Sequence, residues 1–79
     1  MRMTGIRYRP SPDLIERLTK RELEVLDYLS QGRNSSEIAA GTGVTVHTVK
    51  HHLRNIYAKL GVGTRLQAVI RYRDLLGRM

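Results

Sequence analysis

Seventy-nine residues with no Trp, no Phe and no Cys make one small domain whose core must come from Leu, Ile, Val, Ala and Tyr. The missing Cys excludes a disulfide framework and Cys-based zinc sites, and it suits a reducing, cytoplasmic setting. No apolar run approaches the ~18 residues of a membrane span, so no membrane partner is expected, and no long apolar segment marks a secretion signal.

The formal net charge of +7 is unevenly placed. Residues 1–12 carry Arg2, Arg7 and Arg9 with no acid, and residues 13–37 hold six acids against four bases. Residues 38–79 then hold seven bases against Asp74 alone. Such asymmetry predicts attraction to a polyanion that weakens steeply with salt.

In chain order, residues 1–17 read as a basic arm, with Ser11-Pro12-Asp13 as a plausible start of a short helical turn. The helical domain spans 18–77. Its first helix follows Thr19, which forms a capping box with Glu22, while Leu18 and Leu23 hold the positions of a hydrophobic staple. Val25, Leu26 and Leu29 give its buried face, and Gly32 is its stop.

The second helix is short. Asn34 caps it, Glu37 sits at the return position of a capping box, and Ile38 and Ala39 point inward. Gly41-Thr42-Gly43 ends it. The third helix starts at the cap Thr45 and runs to about Leu60, where Gly61 stops it. The fourth follows Thr64 and reaches about Leu76. No strand, repeat or low-complexity stretch intervenes, so the chain is expected to be all-α, a four-helix bundle.

The second and third helices meet the needs of a helix-turn-helix. Ala39 is small where two helices approach, Gly43 can take the positive φ of a tight turn, and Val49 plugs the later helix onto the earlier. Longer blocks narrow the reading: LTKRELEVLDYLSQG at 18–32, SSEIA at 35–39 and TVKHHLRNIYAKLGV at 48–62. From Leu18 to about Leu75 the chain resembles the DNA-binding domain of LuxR/GerE-type transcription regulators, also found in NarL-type response regulators. Thr48-Val49-Lys50, His52, Ile56 and Lys59-Leu60-Gly61 carry the match, with Arg65 at the usual Arg position. The resemblance implies a fold of the winged-helix-like superfamily without a wing. Departures are Thr42-Gly43 in place of a bulky pair, Ser36 in place of a common phosphate-contacting Lys, and Gln67 in place of a frequent Glu.

At 100° per residue, Val49, Leu53, Ile56 and Leu60 fall within about 60° of one another and form the core stripe of the third helix. His47, His51, Arg54 and Ala58 point nearly opposite, with Lys50 on one flank. Lys50, His51 and Arg54 are the expected readers of base edges, and they match the positions at which the family reads bases. Lys and Arg donate to guanine O6 and N7, while His accepts from or donates to either purine. Ser35, Ser36, Thr45, His47, Thr48, Lys59 and Arg65 are the expected phosphate contacts. His52 reads as a packed, hydrogen-bonded structural residue.

The fourth helix has more apolar surface than one face can bury. Leu66, Val69, Ile70 and Leu76 suit the core, which leaves Ala68, Tyr72 and Leu75 as a second stripe. The family commonly pairs domains through this helix, so the stripe is expected to form a homodimer over a pseudo-palindromic site; covering the chain's own basic arm is the other use.

Taken together, the sequence predicts a sequence-specific regulator of transcription that binds double-stranded DNA, with RNA polymerase as a further partner. The alternative is a helical adaptor docking on an acidic surface of the transcription machinery. No cofactor, metal site or catalysis is expected: there is no Cys, no paired carboxylate cleft and no Gly-rich phosphate loop. The chain reads equally as a stand-alone regulator or as one domain of a longer protein.

Overall fold

The computed structural model describes residues 17–77. The basic arm up to residue 16, with its Ser11-Pro12-Asp13 turn, lies outside the described residues. Helices α1 (Lys20–Ser30), α2 (Ser35–Thr42), α3 (Val46–Leu60) and α4 (Arg65–Gly77) follow in order, with no strand among the described residues. The all-α, four-helix reading holds.

The helix starts follow from local chemistry. The Glu22 N–H donates to Thr19 Oγ1 at 3.0 Å and the Thr19 N–H to Glu22 Oε1 at 2.9 Å. Asn34 and Glu37 repeat the reciprocal pair at α2, each bond 2.9 Å long. Thr45 Oγ1 accepts the Thr48 N–H at 3.1 Å to open α3, and Thr64 does the same for Gln67 at α4. Each such cap is worth ~1 kcal/mol. Leu18 is buried and Leu23 packs against the core, as a staple requires.

The turn between α2 and α3 depends on Gly43, whose φ of 74° lies in the left-handed region. From there the N–H groups of Gly43 and Val44 both reach back to the Ala39 carbonyl, at 2.9 and 3.1 Å. Helix α1 packs against all three other helices, and α2 packs against α3. Their meeting faces supply the core: Val25, Leu26 and Leu29 from α1, Ile38 and Ala39 from α2, and Val49, Ile56 and Leu60 from α3.

Helix α4 reverses the expected faces. Ala68 and Leu75 are 0% exposed and Tyr72 7%, whereas Leu66 is 68%, Ile70 58% and Leu76 47% exposed. The proposed dimer residues Ala68, Tyr72 and Leu75 are therefore core, and three of the four expected core residues face outward. Packing against α1 decides this over side-chain size. Positions 68, 72 and 75 follow i, i+4, i+7 and make one narrow stripe, and small Ala68 permits close approach. Tyr72 presents its hydroxyl to the Asp27 carboxylate on α1; burial first, and then that carboxylate, raise its pKa above the ordinary tyrosine value.

The helix ends are closed by arginines from elsewhere in the fold. Neither α1 nor α2 has a basic residue in its last turn. Arg73 donates to the Ser30 carbonyl at the end of α1 at 3.0 Å, and Arg21 to Thr42 at the end of α2 at 2.8 Å. Arg71 donates to Leu60 at the end of α3, also at 2.8 Å. These carbonyls would otherwise lack an intrahelical partner.

Candidate nucleic-acid interface

The amphipathic pattern of α3 fixes its orientation in the fold. Val49 and Ile56 are fully buried, Leu60 is nearly so, and Leu53 packs against them from the side. His47, Lys50, His51, Arg54 and Ala58 are all exposed on the other side, as the 3.6-residue period requires. Lys50 and Arg54 join no hydrogen bond or ion pair among the described residues. Their charge is therefore open to a ligand.

At the start of α3, the Thr45 and Thr48 hydroxyls lie 3.0 Å apart, with Thr45 exposed and Thr48 half-buried. Ser35 is half-buried and Ser36 exposed in the first turn of α2. Both helix starts present backbone N–H groups and the positive end of a helix dipole.

Two expected phosphate contacts have other work. Lys59 Nζ lies 2.7 Å from Glu22 Oε1 and donates to the Arg17 carbonyl at 3.1 Å. Glu22 is 4% exposed, so its carboxylate needs that cation. Burial by itself would raise the Glu22 pKa; the Lys59 hydrogen bond, with the Thr19 contacts, outweighs it and holds the carboxyl below the ordinary range. Lys59 thus serves as an internal brace. Arg65 donates to the Arg33 carbonyl in the α1–α2 loop. Its exposed guanidinium keeps other N–H groups.

These bonds show which basic side chains the fold itself engages. Of the basic residues in 38–79, Lys59, Arg65, Arg71 and Arg73 all serve internal carbonyls or carboxylates. Arg78 lies outside the described residues. Among the described basic residues of 38–79, Lys50 and Arg54 are those without an internal partner.

His52 is half-buried as expected, its ring 6.3 Å from that of His51, yet it makes no hydrogen bond among the described residues. No group of three or more His, Cys, Asp or Glu among the described residues could hold a metal ion. A residue absent from the sequence-based site is Asn55, whose Nδ2 lies 3.5 Å from His51 Nε2. The available signal was its i, i+4 relation to His51. Among the described residues, no helix is long and apolar enough to cross a membrane.

Residues 16–72 match the family model for bacterial regulatory proteins of the luxR family, GerE. The chain belongs to the luxR family. Among similar proteins, a probable transcriptional regulatory protein SgaR of Hyphomicrobium methylovorum is 51% identical over 57 residues, covering 72% of this chain and 27% of its own length. The response regulator protein VraR of Staphylococcus aureus is 44% identical over 64 residues, covering 81% of this chain and 31% of its own. VraR of Staphylococcus epidermidis matches to the same extent. The luxR-family chain thus spans less than a third of the length of these relatives. Membership makes it a DNA-binding domain of the regulatory helix-turn-helix type.

Proposed function

We propose that this domain directs a transcription regulator to specific double-stranded DNA by laying α3 in the major groove. Lys50, His51 and Arg54 read base edges; Ser35, Ser36, Thr45, His47, Thr48 and Arg65 contact phosphates and set the register. The observation that carries the reading is the exposed α3 face on which Lys50 and Arg54 keep their charge unpartnered among the described residues. The names of SgaR and VraR, a regulatory protein and a response regulator, support the regulatory role.

Pairing of two copies on a pseudo-palindromic site is part of the proposal, through Leu66, Ile70 and Leu76. These exposed aliphatic residues replace the buried Ala68, Tyr72 and Leu75 as the pairing surface.

A binding-site selection on random duplexes tests the whole reading. It should return a two-fold symmetric site with half-sites about one helical turn, or a multiple of one, apart. Lys50→Ala and Arg54→Ala should each cost ~1–3 kcal/mol at that site and relax preference at separate positions. Unchanged preferences would sink the base-reading assignment. Absence of any duplex binding at ~50 mM salt would favour an adaptor role instead.

A further inference from the structure

We propose that Asn55 is a positioning residue for base reading: it fixes His51 as a single hydrogen-bond donor and thereby gives one position of the half-site a guanine preference. The inference rests on the major-groove reading above and deepens it.

A neutral imidazole has one N–H and one bare nitrogen, and a neighbouring group decides which is which. Asn55 sits one helical turn after His51, and its Nδ2 approaches His51 Nε2 to 3.5 Å. An amide nitrogen only donates. With the amide nitrogen turned toward it, the ring nitrogen accepts, which places the proton on Nδ1. His51 is exposed and Asn55 half-buried, so the longer-packed partner orients the freer one.

Fixing the tautomer removes an ambiguity. A free histidine can accept from or donate to a purine edge; an Nδ1–H donor can only donate. Guanine offers it two adjacent acceptors, O6 and N7; adenine places an amino group beside N7, thymine offers O4 alone beside a methyl group, and cytosine presents an amino group. In water so long and exposed a bond contributes little. In the groove, where water is excluded, the same pair gains strength.

The test is a binding-site selection with the whole 79-residue chain and its His51→Ala, Asn55→Leu and double variants. A 15N spectrum of the His51 ring in the wild-type complex accompanies it. His51→Ala should abolish guanine preference at one position. Asn55→Leu should lower preference at that same position roughly three- to tenfold, the worth of one hydrogen bond, and leave those lost in Lys50→Ala and Arg54→Ala intact. The double variant should add nothing to His51→Ala there, and the ring should carry its proton on Nδ1. If His51→Ala moves a position and Asn55→Leu leaves it untouched, the positioning role is overturned while base reading stands. A proton on Nε2 in the complex overturns it as well. If His51→Ala moves no position, both the pair and its place in the base-reading set fail.

Discussion

The ammonium of Lys59, in the last turn of α3, sits 2.7 Å from the carboxylate of Glu22 in the first turn of α1. Glu22 also closes the capping box of α1, so one carboxylate joins a local cap to a contact 37 residues away. The pair clamps the entry of the domain to the far end of its candidate recognition helix. Lys59→Ala should therefore lower stability by about 1–3 kcal/mol, the cost of leaving a buried acceptor short of its partner. DNA affinity of the folded variant and its salt slope should stay near wild type. Urea unfolding and a salt titration separate the two; a slope reduced by about one would restore a phosphate role.

The same carboxylate gives a pH dependence with a defined sign. Its folded pKa lies below the ordinary glutamate value because the Lys59 and Thr19 bonds outweigh the effect of burial. A depressed folded value means that the unfolded chain takes up the proton first as pH falls. The stabilisation is complete above the ordinary carboxylate range and is lost as pH drops through the lower folded value. Glu22→Gln should remove this part of the acid sensitivity while destabilising the fold at neutral pH. Denaturant midpoints of both proteins, measured from neutral pH to about pH 3, should converge at the acid end. Parallel curves would mean that other carboxylates govern the acid limb.

Arg73 offers the complementary experiment on charge. Its guanidinium donates to the Ser30 carbonyl and closes α1. Arg73→Ala should cost about 0.5–1.5 kcal/mol of stability, one exposed charge-assisted bond, and leave the slope of log K against log salt unchanged. Lys50→Ala, which breaks no bond among the described residues, should do the reverse: little stability change, and lower affinity for the selected site with relaxed base preference. Equal losses of affinity in the two variants would mean that net charge, and not its placement, governs binding.

What the sequence discloses here is set by the range of each interaction. Thr19 with Glu22 and Asn34 with Glu37 act over three residues, so both helix starts were legible. The α3 faces were legible too, since a helix of 15 residues averages its period over four turns. Helix α4 was not. Both of its sides are apolar, and its neighbours, not its own pattern, select the stripe at Ala68, Tyr72 and Leu75. The arginine and lysine partners were likewise hidden, because Arg21, Arg65, Arg73 and Lys59 reach carbonyls or carboxylates 21 to 43 positions away. Net charge in a sequence counts such residues as free when folding has already engaged them.

The turn between α2 and α3 depends on a backbone conformation more than on contacts. A Cβ added at Gly43 would meet nothing within 4 Å, yet its φ of 74° is unfavourable for an L side chain. Gly43→Ala should therefore cost ~1–2 kcal/mol from conformation alone, and Gly43→Asn less, since Asn tolerates the left-handed region. Thermal unfolding ranks the two. Equal losses would point to crowding at the turn instead.

Helix α4 gives the sharpest contrast, because its two apolar stripes should fail in different assays. Leu75 is fully buried, so Leu75→Ala should cost ~2–5 kcal/mol of folding stability through lost contacts and a cavity. Leu66 and Ile70 are mostly exposed, and Leu66→Ser with Ile70→Ser should change unfolding by less than ~1 kcal/mol. If these exposed side chains pair two copies, as proposed, the double variant should still bind an isolated half-site as wild type does. It should lose the extra affinity for the symmetric site, which comes from joining two half-site interactions. Analytical ultracentrifugation with half-site and full-site duplexes reads both outcomes. A double variant that still binds the full site as a pair would remove α4 from the pairing surface, even though its outward stripe remains apolar.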